Sequence, residues 1–421
     1  MLSREENDLL TLSGPGTPMG SLMRLYWIPV LLSDELPEPD CAPIRVKLLN
    51  ESLVAFRDSN GKPGLIDERC PHRKVSMFYG LNSECGLRCA YHGWKFDVSG
   101  ACVDMPSEPP ESNFKSKIKI KSYPCEERGG VIWTYMGPSE QKPPLPDLIW
   151  NTIPDSHRYI SKRIQDNNYF QALEGGLDSS HISILHKGTF DYNVTGASDI
   201  KRYIASSAAP KYEVFETEFG ALMGAGRDTG EGTMYWRSTA FLMPFFQMVC
   251  PYSDEPRNGH VWVPIDDETC MNWCINWHPT RPLTELEISN FQNGLGIHTD
   301  LIPGTFKPVQ NKDNEYMMDR PQQLRGESMS GIKGVGTQDA AMQESQGAIF
   351  DRSDERLGLS DAAIIALRKM LLKALMDLNQ GISPRSVQAN YELFDAPAMV
   401  VPKERPYKEA VREVMRFGVS I

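Results

Sequence analysis

The chain has 421 residues, long for one compact unit, and its 40% hydrophobic and 24% charged residues match an ordinary globular protein of two or three domains. Disordered and fibrous architectures are excluded. A formal net charge of −11 leaves no polycation to neutralise phosphates, so nucleic acid and acidic lipid are poor partners.

The charged start, residues 1–8, has no apolar stretch behind it that would serve as a signal-peptide core. The apolar run 25–32 contains Pro29 and falls far short of the roughly 20 residues a membrane span requires. A cytoplasmic location with no membrane partner is expected. Nine cysteines, an odd number, point to reduced thiols and metal ligands more than to a disulfide framework.

From about 42 to 136 the sequence reads as short strands, among them Ile44–Leu48, 53–56 and Val131–Tyr135, with turn signals at Ser59-Asn60-Gly61 and Ser99-Gly100. The Pro-rich stretch 137–146 suits a semi-rigid connection. A helix is predicted over 168–186, and aromatic-rich strands return at 234–242, 260–263 and Cys270–Trp277. Ile364, Leu367, Leu371, Leu375 and Leu378 recur at helical spacing until Gly381 and Pro384. Residues 305–330 are polar and aperiodic, a surface loop or a flap over a pocket.

Two constellations carry chemistry. Cys70-Pro71-His72 is followed after 16 residues by Cys89-Ala90-Tyr91-His92, so each of two short loops offers one thiolate and one imidazole. Structural zinc usually groups its ligands differently, whereas a Rieske 2Fe-2S cluster takes two thiolates on one iron and two imidazoles on the other. Downstream, Glu174, Asp178 and His181 would share a face of a helix. His186 lies about 140° further round a regular helix than His181, so both imidazoles reach one ion only if the helix ends or bulges near Leu185. A facial triad needs a further carboxylate; Asp339 in Gln338-Asp339 is the first candidate and Glu344 its competitor. Asp351 and Glu355 read as solvated.

These residues resemble the large subunit of Rieske non-haem iron aromatic-ring oxygenases, and over its whole length the chain is most similar to the phthalate dioxygenase branch, including 14–20 and 351–358. The pattern Asp178, His181, His186 matches that family, in which the two His are iron ligands and the Asp is not. Val75 and Tyr91 stand where respiratory Rieske proteins carry a cysteine bridge, and Trp94 replaces a hydroxyl donor, which implies a low-potential cluster. The resemblance implies a closed ring of subunits, a homotrimer or dimer of trimers. In it His92 of one copy, then Asp178 and His181 of the next, form the electron route.

No dinucleotide fingerprint, phosphate-binding loop or nucleophile elbow occurs, and Gly224 to Gly230 has the wrong spacing. Electrons are therefore expected from a separate ferredoxin or NAD(P)H-dependent flavin reductase, with a 2Fe-2S cluster, a mononuclear Fe(II) and O2 as cofactors and co-substrate. The implied substrate is an aromatic acid, ring-hydroxylated in the phthalate manner, or a methoxylated aromatic acid that is demethylated. Arg237 is the first choice for its carboxylate and Arg227 the second. A pure Rieske electron carrier would need only about 100 residues. The fold expected is α+β. An N-terminal segment, 1–41, packs on the catalytic domain; 42–138 form the antiparallel cluster module; 139–150 form a linker; and 151–421 form a helix-grip domain whose antiparallel sheet curls around the long C-terminal helix.

Overall fold

In the computed structural model, which describes residues 1–187, 199–250, 254–389, 391 and 396–415, the chain divides into two units. One is Ser13–Leu145; the other joins Met1–Leu12 to Pro146–Ile421. Of the N-terminal segment assigned to the catalytic part, only Met1–Leu12 belongs there. Strand Trp27–Leu32 pairs with Val131–Tyr135, which holds the rest of that segment in the first unit. The Pro-rich stretch is held by hydrogen bonds at its end: Trp27 Nε1 donates to Pro143 O and an Arg128 N–H to Leu145 O.

The first unit contains three small antiparallel sheets, of three, four and four strands. Val54, Phe56, Ile66, Met77, Leu87, Trp94 and Phe96 form a core that also buries Cys70 and Cys89. Apolar side chains thus exclude water from the two thiols.

The second unit is built on one antiparallel sheet. Its strands are β1 (Arg158–Gln165), β2 (Lys211–Thr217), β3 (Gly220–Asp228), β4 (Thr233–Leu242), β5 (Phe246–Val249), β6 (Arg257–Pro264), β7 (Cys270–Trp277) and β8 (Ala398–Pro402). Their order is β1-β7-β6-β5-β4-β3-β2, and β8 pairs with the first half of β4. Its helices include α1 (Arg4–Thr11), α2 (Tyr169–Leu177), α3 (Ile182–Leu185), α4 (Val335–Glu344) and α5 (Ala362–Asn379). The helix that lies across β4, β5 and β6 is α2, while the long α5 lies along β2 and α1. Two glycines explain the placement. A Cβ on Gly176 would stand 2.2 Å from the Trp262 ring on β6, so a bulkier residue there would lift α2 off the sheet, and one on Gly175 would stand 2.3 Å from Gln343 Nε2 on α4.

Charge locks the same helix. Glu174 accepts from Arg352 Nε and Nη2 at 2.9 and 2.7 Å and from Arg368 Nε at 2.6 Å, and Arg368 also pairs with Glu355. Arg352 is fully buried and Glu355 nearly so, which corrects the reading of Glu355 as solvated and removes Glu174 from any shared metal face. A buried guanidinium with a matched carboxylate is stable where either group alone would not be.

Candidate metal centres

The two cysteine loops differ in spacing by one residue yet close the same way. Cys70 N donates to Val75 O and Lys74 N to Cys70 O; Cys89 N donates to Trp94 O and Gly93 N to Cys89 O. The fifth residue of each turn is left-handed, Lys74 at φ 62° and Gly93 at φ 76°. A Cβ at Gly93 would meet Pro106 Cγ at 2.6 Å, so that position requires glycine. The loops bring the His72 and His92 ring centres to 4.4 Å, and Trp94 stacks on His72 at 4.4 Å with its N–H on Ser107 Oγ. Burial, with a smaller push from Cys89, raises the Cys70 thiol to about 11, so a thiolate here needs a cation beside it. His92 Nδ1 is buried with no hydrogen-bond partner among the described residues, as a metal-ligating nitrogen would be. None of the nine cysteines is in a disulfide. Two thiols and two imidazoles on paired loops fit a Rieske cluster.

The single helix predicted over 168–186 is broken. The α2 helix stops at Leu177, and Asp178 turns the chain: its Oδ1 accepts from Ser180 N at 2.7 Å, and its Oδ2 from His181 N at 3.3 Å. His181 and His186 then flank the single turn of α3, which ends at Leu185. The rings stand 5.1 Å apart at 80°. From across the site, Asp339 on α4 places Oδ1 3.5 Å from His181 Nε2 and 3.2 Å from His186 Nε2. The ligand atoms of these three residues lie within 4.8 Å of one another, and two imidazoles with one carboxylate are a set that could hold one metal ion and leave positions open. Burial raises the Asp339 pKa, but the two imidazoles outweigh it and hold the carboxylate ionised.

The distal nitrogens are held too. His181 Nδ1 donates to Asp178 Oδ2 at 3.1 Å, and Tyr212 donates to Asp178 Oδ1 at 3.1 Å. His186 Nδ1 lies 2.7 Å from Gln338 Oε1. Glu344, the competing carboxylate, accepts instead from Tyr316 OH and Asp166 N. That contact also places residues 305–330: this segment borders a smaller cavity beside Glu344, not the one that holds the two imidazoles.

A cavity of about 330 Å³ contains the His181, His186 and Asp339 side chains. Arg237 lines it, 95% buried, with one N–H on Thr239 Oγ1 at 3.0 Å. Arg227 does not line it. Its guanidinium donates to Ser179 O and Ser207 O and clamps the turn after α2, so the second-choice assignment is corrected. The polar part of the wall that the strands supply was not foreseen: Gln247 on β5, Asn258 and His260 on β6, and Asn272 and Asn276 on β7, with Trp262 on β6 beside them. Cross-strand pairs Gln247 with His260, Asn258 with Asn276 and Trp262 with Asn272 put them all on one face. The visible signal was period-two polar residues inside buried strands. Burial and the Arg163 charge push His260 down to about 4, so it is neutral, with Nδ1 3.0 Å from Asn272 Oδ1.

Residues 134–414 match the family described as LigXa C-terminal domain like, and residues 26–124 match the Rieske 2Fe-2S domain. The chain is 39% identical to the 3-chlorobenzoate-3,4-dioxygenase oxygenase subunit of Comamonas testosteroni, over 89% of this chain and 88% of that protein. It is also 39% identical to the phthalate 4,5-dioxygenase oxygenase subunit of Pseudomonas putida, over 91% and 88%. To the 5,5'-dehydrodivanillate O-demethylase oxygenase subunit of Sphingobium sp. (strain NBRC 103272 / SYK-6) it is 32% identical, over 99% and 89%. Among the described residues no helix is long and apolar enough to cross a membrane.

Behind the cavity wall, His298 holds Asn276 Oδ1 at 2.8 Å and Ser161 Oγ at 2.6 Å. Burial, then the charges of His260 and Arg163, push it down to about 3. The unfolded chain, with histidine near 6.5, therefore binds the extra proton, and stability present above that pH is lost as pH falls toward 3. His298→Gln is expected to remove up to about 1.4 kcal/mol per pH unit from the slope of stability between roughly pH 6 and 4. Chemical denaturation of both proteins across that range checks it; parallel slopes contradict it.

Proposed function

Because the chain belongs to the Rieske-type oxygenase subunits of the phthalate dioxygenase-like branch, we propose that it oxidises an aromatic carboxylate held by Arg237 beside His181, His186 and Asp339. The protein is an oxidoreductase with a Rieske 2Fe-2S cluster, a non-haem iron and O2 as co-substrate. When bound, these groups supply electrons and the reductive activation of O2. Cys70, Cys89, His72 and His92 hold the cluster, and His181, His186 and Asp339 hold the mononuclear iron.

The observation that carries the substrate class is the buried guanidinium of Arg237 in the wall of the cavity that contains the three ligand side chains. A guanidinium fork there complements a carboxylate, while Val249, Trp262, Phe291 and Ile297 offer an apolar seat for a ring. Ring hydroxylation of the phthalate or chlorobenzoate kind is the first reading. O-demethylation of a methoxylated aromatic acid is the second, favoured by the likeness to the dehydrodivanillate enzyme along almost the whole chain. The two differ in which carbon the wall turns toward the metal side. Electrons come from a separate ferredoxin or flavin reductase, and the working form is a homotrimer or a dimer of trimers in the cytoplasm. Within it Asp178 accepts from His181 and from His92 of a neighbouring copy.

Turnover of a panel of phthalates, benzoates and methoxybenzoates with a surrogate reductase, products identified by mass, separates the two reactions. Arg237→Met is expected to raise KM for the acids about 10–100-fold while altering binding of their methyl esters little. An equal effect on acids and esters contradicts the carboxylate assignment. Asp178→Asn is expected to keep both metals yet abolish coupled turnover, and undiminished turnover in that variant rejects the electron route.

A further inference from the structure

The amide of Gln338 is held at both ends. Its Nε2 donates to the Ile332 carbonyl at 2.8 Å, and its Oε1 faces His186 Nδ1 at 2.7 Å, with the side chain 1% exposed. A backbone carbonyl can only accept, so the amide cannot turn over without setting two oxygens against each other. An amide oxygen also only accepts, so the hydrogen of a neutral His186 sits on Nδ1. Its Nε2 then keeps a lone pair toward the space shared with His181 Nε2 and Asp339 Oδ1. Without this arrangement the opposite tautomer has a ready partner, because Asp339 Oδ1 is 3.2 Å from His186 Nε2 and would accept its hydrogen.

We infer that Gln338 is a positioning residue that keeps the His186 ring proton off the metal-facing nitrogen. This rests on the reading of His186 as a ligand through Nε2. The two imidazoles are served by acceptors of unlike charge, the Asp178 carboxylate for His181 and a neutral amide for His186. With Asp178 and Asp339 both ionised, a divalent cation and two neutral imidazoles leave the buried site uncharged. A second acceptor carboxylate would have left it with a net negative charge, which burial penalises. The α4 helix carries both functions side by side: Asp339 faces the imidazoles, and Gln338, one residue earlier, reaches behind His186.

The test uses the full chain with its cluster intact, labelled with nitrogen-15 histidine and stripped of mononuclear iron by a chelator. At alkaline pH the His186 ring is expected as the Nδ1–H tautomer in the wild type and as the Nε2–H tautomer in Gln338→Leu. Ferrous ion added to the same samples is expected to bind the variant about 10–100-fold more weakly. An Nε2–H ring in the wild type overturns the inference without reference to any variant, as does a variant with unchanged tautomer and unchanged iron affinity. Failure of the underlying reading looks different: ferrous ion then binds His186→Ala as tightly as the wild type.

Discussion

Everything at the mononuclear site depends on one carboxylate that bonds its own backbone. Asp178 receives Ser180 N and His181 N, which stops α2 after Leu177, and the same carboxylate receives the ring N–H of His181. Were the helix continued, His186 would lie about 140° away from His181 and the pair would face different neighbours. The turn is anchored in its own right. Arg227 grips Ser179 from β3, and Tyr212 from β2 closes on Asp178. Behind it, α2 is fixed by Glu174 between two buried arginines, so residues of the distant 351–358 stretch take part in aiming the site.

Much of this was legible because chemistry-bearing residue types at short spacing leave few alternatives. The paired cysteine loops, the His181 and His186 pair and the strands 234–242 and Cys270–Trp277 were read from the chain itself. The break at Asp178 was not, since apolar periodicity runs through it; the cue was an Asp followed by two serines, which favours side chain to backbone bonding over a helix. Asp339 and Glu344 lie five residues apart on α4, so one faces the imidazoles when the other faces away, and sequence alone does not say which. Tertiary contact decides it through Tyr316 and Asp166.

The two arginines show a different limit. Arg237 on β4 stands opposite Ala225 on β3, so Arg227, two residues further along β3, points to the same side of the sheet. Strand alternation therefore cannot separate them. Position along the strand does: Arg227 lies opposite Tyr235, beside the turn that follows α2, and Arg237 opens on the cavity. The strip of amides and His260 across β5, β6 and β7 carries no metal-ligand spacing, and only its alternate spacing inside apolar strands marks a polar face.

The division of labour follows from these placements. Short loops bury the two thiols in an apolar core and leave the two imidazoles nearer the surface, and a rigid sheet with one polar face suits an organic substrate that must be held at a fixed attitude. The most direct test that the chain holds two separate iron centres is iron and acid-labile sulfide analysis of anaerobically prepared protein, with and without the paired change His186→Ala and Asp339→Asn. About three irons and two sulfides per chain are expected in the wild type, and about two of each in the variant. Three irons retained in the variant, or no acid-labile sulfide in either protein, would contradict it.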